Sequence, residues 1–176
     1  MDVSLLVFPN RALIALGSNV GNWKINFNVC LKELQKISYI TSIANIYMSK
    51  PYGYKLQNNF YNTAIELKTS SNPLQLMKKL QLIEKKMHKN KTIKNGPRRI
   101  DIDIIFFNHL KFDQEVLTIP HPRATARDFV IYPLFDIDPF YKHPVQKKSI
   151  KQLKMEIKDI YILRKIMQPK DSFVIY

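Results

Sequence analysis

Two aspartates separated by one residue, Asp101 and Asp103, are the pair whose spacing most directly implies chemistry. They lie in Ile100-Asp101-Ile102-Asp103-Ile104-Ile105-Phe106-Phe107, the clearest strand pattern in the chain. Residues two apart on a strand point to the same face, so both carboxylates project together while Ile100, Ile102 and Ile104 fill the other side. Two carboxylates about 6–7 Å apart on one strand repel each other unless a cation lies between them. Hard oxygen ligands of this kind suit Mg2+, which keeps several waters and takes substrate phosphates in its remaining positions. An amphipathic edge strand with two solvated acids would carry the same pattern. The neighbourhood tells against that alternative. Gly96-Pro97-Arg98-Arg99 runs directly into the strand, and residues 78–99 hold nine Lys or Arg against a single acid, Glu84. Acids beside guanidinium and ammonium groups are what a polyphosphate site requires, because such chemistry is mostly positioning and charge neutralisation.

The rest of the chain must supply elements that hold these groups in place. Residues 12–16 form a short apolar run closed by Gly17-Ser18-Asn19 and read as a first strand. Phe27, Cys30, Leu31, Leu34 and Ile37 recur at three- and four-residue steps, which predicts a helix with one apolar stripe. Residues 40–48 read as a second strand, ended by the loop Lys50-Pro51-Tyr52-Gly53, and 62–67 as a third. Ser71-Asn72-Pro73 is a helix start, and Leu76, Met77, Leu80, Ile83 and Met87 continue that helix. Residues 88–96 have no apolar periodicity and read as a loop. Residues 123–135 suggest another helix, with Pro133 near its end. The tail, 145–176, alternates apolar and Lys residues and is assigned no element. Irregular interleaving of strands and helices predicts an α+β fold rather than a doubly wound sheet. One domain over 1–176 is expected, with 145–176 as a basic C-terminal extension.

Composition sets outer limits. A chain of 176 residues can bury a real core. The single cysteine, Cys30, excludes an internal disulfide framework and suggests a reducing compartment. No apolar run approaches the roughly 18 residues of a membrane span, and MDVSLLVFPNR lacks the features of a signal peptide, so a cytosolic location is expected. The formal charge of +14 is concentrated in two blocks, +8 over 78–99 and +6 over 140–176. Such blocks point to an anionic partner, although 22 of the 28 basic residues are Lys, and solvated lysines are cheap on a surface. A basic nucleic-acid-binding module and a nucleotide hydrolase built on the acid pair both remain open on these grounds.

A family resemblance narrows the choice. GPRRIDIDIIFF (96–107) resembles the signature of the 6-hydroxymethyl-7,8-dihydropterin pyrophosphokinase family, and TIPHPRATARDFVIYPL (118–134) resembles the segment that follows it there. ALIALGSNVGN (12–22), YMSKPYG (47–53) and FYNTAIEL (60–67) are similar to three further family blocks in the same order, so the likeness covers about 12–140. The resemblance implies a ferredoxin-like fold: a mixed, mostly antiparallel sheet with helices on both faces. It implies transfer of the pyrophosphoryl group of ATP to the pterin hydroxyl, with release of AMP, in folate biosynthesis. It assigns two Mg2+ ions to Asp101 and Asp103, and the ATP phosphates to Arg98. Ile104, Leu117, Thr118, His121 and Arg127 fall at nucleotide-binding positions. Ser49, Tyr52, Gly53, Phe60, Asn62 and Phe129 fall at pterin-binding positions, with Lys50 beside them in the loop. The chain departs from the pattern in the basic loop, where Asn95 stands for a tryptophan, Lys94 for an arginine, and His88-Lys89 for Gly-Arg. Lys89, Lys91 and Lys94 are therefore candidate phosphate clamps. Small-molecule substrates are expected, with no nucleic acid or membrane partner, acting on a monomer.

Overall fold

The computed structural model describes residues 8–87 and 95–166. Strand β1 (Asn10–Ser18), the first expected strand extended at both ends, lies inside the sheet. It pairs antiparallel with β4 (Phe60–Thr69) on one side and β5 (Asp101–Phe107) on the other. Strands β2 (Tyr39–Ile43) and β3 (Ile46–Ser49) follow one another along the far side of β4, and β8 (Ile162–Ile166) adds to β3. The sheet order is β5-β1-β4-β3-β8, with β2 also on β4. Each described pairing is antiparallel, the limit of the mostly antiparallel sheet expected. The strand expected over 40–48 is two strands. At their junction Asn45 gives its backbone N–H and its Nδ2 to Asp136 Oδ2, at 3.2 and 2.8 Å, which turns the chain out of the ladder.

Both faces of the sheet are covered, so its strands carry apolar residues on both sides. Helices α1 (Trp23–Gln35) and α2 (Pro73–Lys86) lie on one face. Asn72 Oδ1 accepts from Gln75 N at 2.9 Å and the Gln75 side chain accepts from Asn72 N at 3.0 Å, with Pro73 opening the helix. This reciprocal cap satisfies two orphan amides. Phe27, Cys30, Leu31 and Leu34 of α1 and Leu76, Leu80 and Ile83 of α2 bury against Ala12, Ile14 and Leu16. The alternate β1 residue Leu13 faces the other way, into Val130, Ile131 and Leu134 of α3 (Asp128–Ile137) and Ile150 and Leu153 of α4 (Ile150–Glu156).

Three further features differ from the expected elements. The helix expected over 123–135 starts later: a 3-10 turn at Ala124–Ala126 precedes α3, which carries Pro133 in its interior. Proline removes one intrahelical bond there, while Pro133 and its neighbour Leu134 are buried. A small ribbon of β6 (Phe112–Gln114) and β7 (Leu117–Ile119) was not expected, its strands being too short to show a period. The unassigned tail forms α4 and β8, with Ser149 and Gln152 capping α4 as Asn72 and Gln75 cap α2.

Candidate functional site

A bulge in β5 orients the acid pair. Leu13 stands opposite Phe106 and Ile14 opposite Ile104, so Ile105 is an extra residue in the ladder. Before the bulge, Ile102 and Ile104 are buried on the α1–α2 side. Asp101 and Asp103 therefore face the α3 side together, as the strand period requires. Opposite them on β1 stand Gly17 and Ala15, and across β1 from Gly17 is Asn62. A Cβ on Gly17 would lie 3.4 Å from Asn62 Oδ1 and 3.8 Å from both Asp101 Cβ and Phe60 Cδ1. The missing side chain leaves a cradle between acid, amide and ring.

That cradle opens into a cavity of about 630 Å³. Its walls include Asp101, Asp103 and Arg98; Ser49, Tyr52, Phe60, Asn62 and Phe129; and Ile104, Leu117, Thr118, His121 and Arg127. Residues from both faces of β5 line it, so the cavity wraps round the open edge of that strand. His121 N donates to Ile105 O at 3.0 Å, which holds the segment after β7 on this edge. Gly53 is not in the wall. It has φ +85° and a Cβ there would sit 2.9 Å from Asn95 Nδ2, so glycine lets the 50–59 loop pass the 95–97 segment. Lys89, Lys91 and Lys94 lie outside the described residues.

Each charged group has a defined setting. Arg98 Nη2 donates to Asp101 Oδ2 at 2.7 Å and Nη1 to Gly96 O at 2.8 Å, while its guanidinium carbon sits 4.8 Å from the centre of the Phe60 ring. Arg127 is only 9% exposed, its guanidinium carbon 4.8 Å from the Tyr52 ring centre and 5.8 Å from that of Phe129. Burial, and then Arg123, pull its pKa below the ordinary value, against the pull of Asp103, Tyr52 and Asp101. The Nε of Arg98 and the Nε of Arg127 are both buried without a hydrogen-bond partner among the described residues, donor capacity that an anionic ligand could use. His121 Nδ1 accepts from Arg123 N at 3.2 Å. Burial, then Arg127 and Arg123, push its pKa down to about 4. At neutral pH it is an uncharged imidazole whose N–H is on Nε2. Asn62 is fixed by donation from Nδ2 to Ser49 Oγ at 2.9 Å and Tyr47 O at 3.4 Å.

Several wall residues went unrecognised in the sequence. Arg123 stands within HPRATAR. Met77, Leu80, Gln81 and Glu84 come from one stripe of α2, and Val116 from just before β7. Glu84 had a signal, since it is the one acid in a strongly basic stretch; its Oε1 accepts from Ile102 N at 2.8 Å. Among the described residues no group of three or more His, Cys, Asp or Glu could enclose a metal ion. Two carboxylates over an open cradle instead fit a hard cation that completes its shell with water and phosphate oxygens.

Comparison with known proteins agrees with this geometry. A family model described as 7,8-dihydro-6-hydroxymethylpterin-pyrophosphokinase matches residues 13–139. The chain is 36% identical over 143 residues to the 2-amino-4-hydroxy-6-hydroxymethyldihydropteridine pyrophosphokinase of Aquifex aeolicus, covering 81% of this chain and 89% of that protein. It is 39% identical over 130 residues to the Bacillus subtilis protein of the same name, covering 73% and 78% respectively. Other relatives are much longer: the chain spans 22% of the Dictyostelium discoideum folic acid synthesis protein, at 39% identity over 84% of this chain. A solved structure of wild-type Plasmodium falciparum HPPK-DHPS shares the fold, with a TM-score of 0.68 at 19% identity over 84% of this chain and 44% of that one. No described helix is long and apolar enough to cross a membrane. With the family model matching most of its length and the acid pair, basic lead-in and aromatic pocket meeting in one cavity, the chain belongs to the 7,8-dihydro-6-hydroxymethylpterin-pyrophosphokinase family.

Proposed function

We propose that the chain transfers the pyrophosphoryl group of ATP to the hydroxymethyl oxygen of 6-hydroxymethyl-7,8-dihydropterin in folate biosynthesis. The oxygen attacks the β-phosphorus of ATP, the bond from that phosphorus to the α–β bridging oxygen breaks, and AMP leaves. One observation carries the reading: a carboxylate pair on β5 shares one cavity with an aromatic-and-amide pocket on one side and an apolar shelf on the other.

Roles follow from position. Asp101 and Asp103 would hold two Mg2+ ions, which would neutralise phosphate charge and make the pterin hydroxyl easier to deprotonate. Ile104, Leu117 and Thr118 give the adenine an apolar slot at the edge of β5. His121, uncharged, donates from Nε2 to the nucleotide, and Arg127 adds charge beside it. Arg98 turns from Asp101 to the phosphates, where its unpartnered Nε gains an acceptor. Lys89 and Lys91, in the basic stretch of sequence before Arg98, are assigned to the phosphates as clamps. The pterin stacks between Phe60 and Phe129, and Asn62, Ser49 and Tyr52 address its edge, with Gly53 shaping the loop that carries Tyr52. Both stacking rings have an arginine against them; a flat heterocycle takes that place when the phosphates draw the cations away.

The chain acts on these small molecules as a monomer in the cytosol, as one domain over 1–176, with no nucleic acid or membrane among its partners. The test is to mix the protein with ATP, Mg2+ and the pterin and to identify the nucleotide formed. AMP matched by pterin diphosphate supports the reading. ADP, or nucleotide cleavage without pterin, makes it a hydrolase or simple kinase instead.

A further inference from the structure

The family match ends at residue 139, yet the segment beyond it reaches the pterin end of the cavity. Tyr161, just before β8, is held by its backbone on both sides. Its N–H donates to Asp128 Oδ2 at 2.7 Å, and its carbonyl accepts from Lys50 N at 2.9 Å. The Asp128 carboxylate, wholly buried, also accepts from Ile162 N at 2.7 Å through Oδ2 and from Phe129 N at 2.7 Å through Oδ1. One charged side chain thus joins the start of β8 to the amide of a pterin-stacking residue. Burying a carboxylate is costly unless several donors compensate it, and here three amides do so. The Tyr161 ring then lies 5.4 Å from the Tyr52 ring at 61° and 6.0 Å from the Phe129 ring at 85°, while Tyr52 and Phe129 are 6.1 Å apart. The three rings close a triangle, with Tyr52 and Phe129 in the cavity wall and Tyr161 outside it.

We infer that Tyr161 is a positioning residue for pterin binding: from behind the wall, it fixes the Phe129 ring and the loop bearing Tyr52 at the angles that receive the heterocycle. The inference rests on the reading of those two residues as pterin contacts. Edge-on aromatic pairs contribute directional energy beyond burial, and two of them meeting at one ring restrain both partners. The contact needs the ring and not the hydroxyl.

The test uses the full chain with Tyr161→Ala and Tyr161→Phe. Calorimetry measures 6-hydroxymethylpterin binding in the presence of Mg2+ and α,β-methylene-ATP, and separately the binding of that nucleotide alone. Trypsin cleavage after Lys55, exposed in the same loop, is followed by mass spectrometry. In Tyr161→Ala the pterin affinity falls about fivefold, the scale of one or two aromatic pairs, with nucleotide affinity unchanged and faster cleavage at Lys55. Tyr161→Phe behaves as the parent in all three. Equal weakening of both ligands, unchanged pterin affinity with only a lower melting temperature, or a Phe variant as weak as Ala overturns the inference. A parent chain that binds nucleotide but no pterin overturns the proposed reaction instead, and cleavage at Lys55 then decides alone whether Tyr161 orders the loop.

Discussion

Asp101 is bonded to Arg98 at 2.7 Å, so the carboxylate pair already shares its charge with a cation on the protein. Asp101→Ala and Asp103→Ala should each abolish turnover while the fold survives, and near-normal turnover of either at saturating Mg2+ would rule out the metal role. Asp101→Ala should also lower the melting temperature a little, because Arg98 Nη2 loses its acceptor while Nη1 keeps Gly96 O. Both side chains of the pair are about one-fifth exposed, which holds the loss to about 1 kcal/mol. His121 gives a pH signature. Its folded pKa of about 4 lies below the roughly 6.5 of an unfolded chain, so the folded state binds fewer protons between those values. The associated stability is complete above about pH 6.5 and is lost as pH falls towards 4. His121→Gln should therefore narrow the gap between melting temperatures at pH 7 and pH 4.5 relative to the parent. At this scale the sequence was legible where a residue type jarred with its surroundings, as with Asn62 in an apolar strand or paired acids in an isoleucine run. Asp128 did not jar, because an acid at a helix start is ordinary; its burial depends on amides 33 and 34 residues away.

Strands and helices were readable where their own period or caps defined them. Strand β5 and helix α2 matched because alternation and a reciprocal cap are local facts. The break between β2 and β3 did not, since it is imposed by Asp136 from α3. Helix α3 places Phe129 one residue after its buried anchor Asp128, and the ring meets Tyr52, Tyr161 and Arg127. Phe129→Ala should weaken pterin binding by about 1–3 kcal/mol and nucleotide binding far less. Equal losses for the two ligands would mean that the ring is only part of the packing between α3 and the sheet.

Across the whole molecule, positive charge is uneven: +8 over 78–99 and +6 over 140–176 in a chain of +14. The first block includes Arg98, which lines the cavity, and charge that contacts the substrate chiefly in the transition state acts on rate more than on binding. Neutralising Lys89 and Lys91 together should slow single turnover by roughly tenfold, about 1.4 kcal/mol, with little change in ATP affinity; an unchanged rate would make them ordinary surface lysines. In the tail, β8 was opaque because nothing local defines it until β3 offers an edge to pair with, whereas the Ser149–Gln152 cap of α4 was a local signal that went unread. One contact made by Glu84 reaches beyond the site. Its carboxylate receives Ile102 N at the outer edge of β5, where no strand among the described residues is paired. Edge amides usually trade their protons with water quickly, but this one is held for as long as the Glu84 carboxylate keeps it. The hydrogen-exchange rate of Ile102 therefore reports how often that side chain of α2 lets go of the strand, at a position where the sheet would otherwise report only its own fraying.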